Sequence, residues 1–471
     1  MKAINPRTGE TDYEFAESSR DEVAAAAARL RQRQTEWEAR GPQTRAAALM
    51  RLADAVEVRQ DAIAEKLSVD TGRIAVARME TLGFVGNLRR WATRGPQLFA
   101  ELPQDASPSA TPGVEIVPSF SAYPLFGAIA PWNFPVILSH IDAVPALMAG
   151  SAALIKPSEV TPRWVEPMLE ALTAAPDVPI EYVMGGPEVG QALIEAVDYV
   201  CFTGSTATGR KVAEAAARAL IPVNLELGGK DPMIVTASAD AEWAARLALR
   251  SSIVATGQAC QSIERIFVAR NVAEPFLAAL VKEAEAVQLT YPDPAQGHIG
   301  PFIFPSQADK VAAQIEEAAA AGARVLTGGK VERLGGGAWM RPTVIVDVTP
   351  DMAVMRDETF GPVLPVVVFD QIEDAITQAN DTSYGLSAAV LAGSLDEATE
   401  VGSRLEAGAI SLQDGALTSM VGDATNHSRK TSGLGPSRMG DEGMLRFLRR
   451  QALIRRVGDA PTIADFAEGT R

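Results

Sequence analysis

The chain is poor in the residues that build metal centres and disulfide frameworks. Its 471 residues include two cysteines and three histidines. A disulfide scaffold, a zinc ribbon and a multi-histidine metal cage each need more ligands than that, so all three are excluded and no metal is expected. No run of about 18 uncharged apolar residues occurs, so no membrane-spanning helix is expected. The segment Met1–Glu14 is polar and carries Pro6 and Gly9. It lacks the apolar stretch of a signal peptide, and with so few cysteines the expected location is the reducing cytoplasm. Positive charge is also in deficit: 43 Lys and Arg against 59 Asp and Glu leave a net charge of −16. Such a chain repels polyanions, which argues against nucleic acid or an anionic membrane as partner.

What is present is an ordinary globular composition, with length enough for roughly three domains of about 150 residues. The first hundred residues read as helical. Ser19 and Glu22 match a capping box before an Ala-rich run. Further helices are predicted over 44–71, stopping at Gly72, and over 74–93. A Pro/Ser-rich stretch at 103–112 leads to a short strand at 114–117. From Leu125 onward strands and helices alternate, with strands predicted at 125–130, 152–155, 182–184, 199–203 and 223–227. A second alternation fills 228–411, with strands at 265–269, 323–326, 343–347, 363–368 and 387–391. Alternation of this kind predicts mostly parallel sheets covered by helices. A helix at 441–449 and a strand at 451–457 are predicted near the end.

Several strings can carry chemistry. The run Val200-Cys-Phe-Thr-Gly-Ser-Thr-Ala-Thr-Gly209 leaves a strand and enters a helix. Gly204 and Gly209 permit a tight turn, Ser205 adds a hydroxyl, and a helix N-terminus suits a pyrophosphate. The run misses the P-loop pattern because Arg210 and Lys211 stand where Lys and Ser/Thr are needed, and no G-x-G-x-x-G occurs. Alone, it is equally a turn without a ligand. Lys156 and Glu159 follow a strand end, where α/β sheets bind ligands, or else belong to a solvated loop. Cys201 lies inside a strand and reads as a small buried hydrophobe. Cys260 lies between a helix broken at Gly257 and a strand near Arg265, where a thiol is presented on a connection. His140, His298 and His427 show no orienting pattern around them, so a Cys–His pair is weakly supported. Glu226 ends an apolar strand before two glycines, and a carboxylate there suits a general base if burial raises its proton affinity. In Pro131-Trp-Asn-Phe-Pro135, two prolines brace Asn133 between aromatics. Its amide is a good oxyanion donor, or the string is a structural corner.

Together these residues resemble the NAD(P)-dependent aldehyde dehydrogenase superfamily. The matching strings are PWNFP at 131–135, IKPSEVTP at 155–162, FTGS at 202–205, ELGGK at 226–230, GQAC at 257–260 with Arg265 beyond it, and ETFGP at 358–362. They occur in family order over most of the chain. The resemblance implies an aldehyde-dehydrogenase-like α/β fold with two parallel-sheet domains and a small β oligomerisation element. It divides the chain into a dinucleotide-binding domain (1–103 and 123–227), a catalytic domain (228–435) and a bridging element (104–122 and 445–471).

The same resemblance implies Cys260 as nucleophile, Glu226 as general base and Asn133, with the Cys260 backbone N–H, as oxyanion hole. The reaction would pass through a thiohemiacetal and a thioester. It assigns cofactor contacts to Trp132, Lys156, Glu159, Gly204, Ser205, Leu227, Glu358 and Phe360, and substrate contacts to Phe134, Ile137, Ile141, Ala259 and Gln261. The cofactor expected is NAD, with NADP possible, because Glu159 opposes a 2′-phosphate. The partners expected are a small-molecule aldehyde and further copies of the chain, as a homodimer or homotetramer. The apolar lining leans towards a hydrophobic or aromatic aldehyde. Arg163, Arg429 and Lys430 are the cations considered for a semialdehyde, the alternative substrate. An acyl hydrolase or transferase without hydride transfer is the alternative reaction class, and a catalytically silent relative is opposed by the intact Cys260, Glu226 and Asn133. Departures from the family pattern include Asp142, at a position where many relatives carry Lys, and 412–435, which differs from the usual signature although Lys430 and Ser432-Gly433 remain.

Overall fold

Ser19 opens the first helix, Arg20–Ala39, with the predicted capping box: its hydroxyl accepts from the Glu22 N–H, and the Glu22 carboxylate accepts from the Ser19 N–H. The buried face is Val23, Ala26, Ala27, Leu30 and Trp37, and the Trp37 indole donates to the Leu147 carbonyl at 2.8 Å. The computed structural model describes residues 1–466 and 468. The single helix predicted over 44–71 is instead two, Gly41–Val58 and Gln60–Thr71, separated at Arg59. Gly72 ends the second in the left-handed region, as its placement suggests. The next helix, Ile74–Glu101, runs past the predicted end and through Pro96. Leu88, Trp91 and Leu98 are buried along it, so packing overrides the proline.

The first large sheet has six strands in the order Gly433–Leu434, Val223–Glu226, Tyr199–Thr203, Leu125–Ile129, Ala152–Lys156, Ile180–Tyr182. All pairings are parallel except that of Gly433–Leu434. The strands from Leu125 through Ile180 build outward in one direction, and those at Tyr199 and Val223 build in the other. The order therefore reverses between Leu125–Ile129 and Tyr199–Thr203, and such a reversal opens a ligand crevice at the carboxyl ends. Gly433–Leu434 lies at the end of the segment assigned to the catalytic domain, yet it pairs with the first sheet.

The second sheet has seven strands, Arg324–Thr327, Thr343–Val346, Val363–Phe369, Ile263–Ala269, Asp231–Val235, Ser387–Leu391 and Ala409–Leu412, in that order. Asp231–Val235 and Ala409–Leu412 were not predicted. The first is buried at every position, so its sequence lacks the alternation that marks a half-exposed strand. A third sheet pairs Leu448–Arg456 with Val114–Ala122, and Ser107–Pro108 adds to the far side. The helix predicted at 441–449 is only one turn, Glu442–Leu445, because the strand starts at Leu448. Of the tail assigned to the bridging element, residues 467 and 469–471 lie outside the described residues. Among the described residues no helix is long and apolar enough to cross a membrane, and no cluster of three or more His, Cys, Asp or Glu is placed to hold a metal ion.

Candidate active site

The predicted residues of the first domain gather at the carboxyl edge of the first sheet. Trp132 and Asn133 follow Leu125–Ile129. Lys156 ends its strand, is 4% exposed, and donates to Glu159 at 3.0 Å. Ser205 caps the helix Thr206–Ala219, its hydroxyl accepting from the Thr208 N–H at 3.3 Å. A Cβ at Gly209 would come within 2.5 Å of the Leu227 side chain, so the glycine lets this helix settle on the strand end. Glu226 and Leu227 close the row.

Cys260 arrives from the second domain on a strained turn. After the helix Ala241–Ile253, Ala255, Thr256 and Gly257 take φ values of 56°, 63° and 69°. Left-handed backbone costs about 1–2 kcal/mol at each residue with a side chain, and such strain persists only where surrounding contacts impose it. Here they do. The Arg73 guanidinium donates to Ala255 O at 3.1 Å, and Thr256 Oγ1 donates to Gly300 O at 3.0 Å. The buried Gln258 side chain donates to Ala255 O and Pro301 O and accepts from the Ile303 N–H at 2.9 Å. A Cβ at Gly257 would lie 2.3 Å from Gly361 O, so glycine is required there.

The same network reaches Asn133. Its Nδ2 donates to Gln258 O at 3.0 Å, and its carbonyl accepts from Arg73 at 2.6 Å. Asn133 is thus held by Arg73 and Gln258 rather than by its aromatic neighbours, and one amide N–H is left for another acceptor.

The two glycines after Glu226 have separate steric reasons. A Cβ at Gly228 would lie 2.6 Å from the Glu358 carboxylate, and one at Gly229 would lie 2.7 Å from Cys260 O. The Gly229 N–H donates to Glu358 at 3.2 Å. Phe360, at φ 55°, sets its ring edge-on to Trp132 at 5.4 Å. Behind them Glu264 accepts from the Thr359 and Phe360 N–H groups, each at 2.8 Å, and from Lys230 at 2.8 Å. Lys230 is completely buried. Replacing it with methionine leaves Glu264 buried without its cation, so Lys230→Met is expected to lose about 3–5 kcal/mol of stability. A urea unfolding midpoint measures it. Arg265 fixes this strand by donating to the carbonyls of Lys230, Gln378 and Ala379.

Charge in the cleft is mostly negative. Burial pushes the Cys260 thiol up to about 12, and the carboxylates of Glu226, Asp231 and Glu358 add to the effect. The thiol is therefore protonated at rest near neutral pH. Burial also raises Glu226 above the ordinary carboxylate range, against the pull of Arg438 and of the Ser428 hydroxyl, which donates to it at 2.9 Å. Glu358 is pushed up to about 7 by burial and by Glu264. Burial thus makes Glu226 a stronger proton acceptor than an ordinary carboxylate, as a general base requires.

Phe134, Ile137, Ile141 and Gln261 are all half-buried, and Gln261 Oε1 has no partner among the described residues. The cations considered for a semialdehyde are engaged elsewhere. Arg163 is bound to Asp70 and Asp12, Arg429 reaches Leu405 O, and Lys430 donates to Asn380 O and pairs with Glu406 at 2.7 Å. The histidines are structural: His140 bonds Val136 O and the Tyr182 hydroxyl, and His298 accepts from the Gln288 N–H. Cys201 is buried in Tyr199–Thr203, as its sequence context suggests. Arg73, Gln258, Ser428 and Arg438 were not singled out from sequence. Gln258 was within reach, since it adjoins Gly257 in the string that marks Cys260.

A parallel sheet with a reversal crevice is the arrangement in which α/β enzymes hold dinucleotides, and the comparisons with known proteins give the class, an NAD(P)-dependent oxidoreductase. Residues 1–453 match the aldehyde dehydrogenase family, and the chain belongs to that family. It is 36% identical over 438 residues to a protein of Mycolicibacterium smegmatis provisionally named succinate-semialdehyde dehydrogenase [NADP(+)], covering 92% of this chain and 84% of that one. Its fold is similar to that of a provisionally named aldehyde dehydrogenase, PutA, from Anabaena variabilis, with TM-score 0.95, 45% identity and 98% of each chain covered. Betaine aldehyde dehydrogenase from Staphylococcus aureus, solved with NAD+, is similar at TM-score 0.90 and 26% identity, covering 98% of this chain and 92% of that one. The α/β fold and the enzyme class expected from sequence both hold.

Proposed function

We propose that the protein oxidises an aldehyde to the carboxylic acid through a thioester on Cys260, with NAD as the preferred cofactor. The observation that carries this reading is the seam at Gly228-Gly229. It packs the Glu358 carboxylate against Gly228 and the Cys260 carbonyl against Gly229, while the Asn133–Gln258 bond ties the amide donor to the turn before Cys260.

The cleft fits a dinucleotide by its donor set. Lys156 and Glu159 suit a ribose, Gly204, Ser205 and the helix N-terminus suit a pyrophosphate, Glu358 suits the second ribose, and Trp132, Leu227 and Phe360 supply apolar walls. When bound, the nicotinamide supplies a hydride acceptor. The protein's own residues do the rest. The Cys260 thiol gives up its proton to water in the open cleft, and its sulfur bonds to the aldehyde carbon as the carbonyl electrons move to oxygen. The developing oxyanion takes the free Asn133 N–H and the Cys260 backbone N–H. After the carbon has lost hydride, a thioester remains on Sγ. Glu226 then takes a proton from water as its oxygen attacks the thioester carbon, the C–S bond breaks, and the acid leaves Cys260 as thiolate. Loss of cofactor reduction with aldehyde and NAD would favour a hydrolase instead.

Because Glu226 must be ionised and its proton affinity is raised, activity is expected to be present above its raised value and lost as pH falls through it. A kcat profile with its acid limb at an ordinary carboxylate value would contradict this. Glu159 opposes a 2′-phosphate, so kcat/KM is expected to be higher with NAD than with NADP, and Glu159→Gln is expected to narrow the gap. Equal efficiency in the parent enzyme would contradict the assignment.

Phe134, Ile137 and Ile141 support a hydrophobic or aromatic aldehyde, and so does the engagement of Arg163, Arg429 and Lys430 elsewhere. The name of the Mycolicibacterium relative favours a semialdehyde as second reading. Benzaldehyde-type and succinate-semialdehyde kcat/KM values, measured side by side, decide between them.

Among the described residues Leu448–Arg456 is paired on one edge only, with Leu453 and Ile454 51% and 71% exposed. An open nine-residue edge favours pairing with a second copy, as a homodimer or a dimer of dimers. A free catalytic thiol suits the reducing cytoplasm.

A further inference from the structure

Asp142, Arg438 and Arg446 form a buried cluster that the reaction as described does not use. Arg438 Nη2 donates to Asp142 Oδ2 at 2.6 Å and to Thr203 Oγ1 at 2.8 Å, and Arg446 donates to the other oxygen of Asp142. The side chains of Arg438, Asp142 and Arg446 are 5%, 4% and 1% exposed. Thr203 is the residue paired with Glu226 across the two parallel strands, so the guanidinium is bonded to the strand neighbour of the proposed base. Arg438 Nε is buried and has no partner among the described residues. The segment that carries Arg438 also wraps Glu226: Ser428 donates to its carboxylate, and Gly433 pairs with its backbone.

The two buried arginines and the buried aspartate leave a single positive charge, and an ionised Glu226 balances it. A buried carboxyl without such a balance takes up a proton instead. The groups that act on Glu226 are Arg438 and Arg446, which favour its ionised form, Asp142, which opposes it, and the Ser428 hydroxyl. The thiols of Cys260 and Cys201 also lie in its field, both pushed up by burial and neutral at rest. Arg438 is foremost among the groups that offset burial.

We propose that Arg438, braced by Asp142 and Arg446, is the positioning residue of the deacylation step, and that its charge keeps Glu226 in the form that accepts a proton from water. Asp142, at a position where many relatives carry lysine, is then the brace of an arginine that supplies the positive charge. The proposal rests on Glu226 as the deacylation base.

The test is the pH dependence of acyl-enzyme decay, formed with aldehyde and NAD, quenched, and followed by intact mass. Arg438→Met is expected to move the acid limb upward by about one pH unit, within the range a nearby opposite charge confers. Decay then falls about tenfold below the limb and recovers at high pH. Arg438→Lys is expected to keep the limb in place, and Asp142→Asn to move it downward. A merely structural role would slow decay at every pH without moving the limb. The proposal is overturned if the limb stays fixed in Arg438→Met and Asp142→Asn, or if both move it the same way. Should Arg438→Met not fold, the lysine and asparagine variants decide: a limb displaced by Arg438→Lys, or not lowered by Asp142→Asn, overturns it. A limb that persists in Glu226→Gln would instead show that Glu226 is not the base, which separates that failure from a failure of Arg438.

Discussion

Glu226→Gln is expected to stop the enzyme after one hydride transfer. Glutamine keeps the size of the side chain and its contact with Ser428, but it cannot accept a proton from water. Thiohemiacetal formation and oxidation need Cys260 and the Asn133 donor, and neither is touched by the change. Mixing the variant with aldehyde and NAD should therefore give about one equivalent of reduced cofactor per site, followed by a steady rate lower by about 10²–10⁴, the usual contribution of a positioned general base. Stopped-flow absorbance measures both phases. A variant that loses the burst as completely as the steady rate would place Glu226 in acylation as well. One that loses neither would remove it from the mechanism.

Cys260→Ala is expected to have the largest effect, a loss of at least about four orders of magnitude in kcat, as for removal of nucleophiles elsewhere. No other side chain can substitute. Cys201 is enclosed in the sheet, and the three histidines are bonded elsewhere or exposed. The Cys260 variant should still bind NAD, because Lys156, Glu159, Ser205 and Glu358 are unchanged, and Trp132 fluorescence offers the readout. Cys201→Ala is the control. It deletes a buried sulfur and should lose about 1 kcal/mol of stability, with the burst and the steady rate retained. Appreciable aldehyde oxidation by Cys260→Ala would end the covalent mechanism.

The sequence was informative where function is written in local strings. The strand–turn–helix at 199–219 and the glycines after Glu226 could be read directly, as could the placement of Cys260 after Gly257. Boundaries were less legible where packing overrides local preference, as in Ile74–Glu101 running through Pro96, or where a fully buried strand such as Asp231–Val235 has no alternation to detect. What could not be read was the support behind the site. Arg73 reaches both Asn133 and Ala255 from the start of a distant helix. Ser428 and Arg438 return from the far end of the chain to enclose Glu226. Such contacts join residues 60 to 235 positions apart, and no spacing rule reports them. The reason for two successive glycines was likewise invisible, because Gly228 accommodates Glu358 and Gly229 accommodates Cys260. Asp142 was legible only as a departure, and its partners Arg438 and Arg446 give it a role.

The central claim is that Cys260 carries the acyl group and Glu226 releases it. Intact-mass and peptide mapping of Glu226→Gln, quenched after reaction with a saturating aldehyde and NAD, tests both halves at once. The account predicts a single acyl adduct per chain, located on the peptide containing Cys260 and matched by one equivalent of reduced cofactor. Reduced cofactor with no adduct, or an adduct on any other residue, would contradict it.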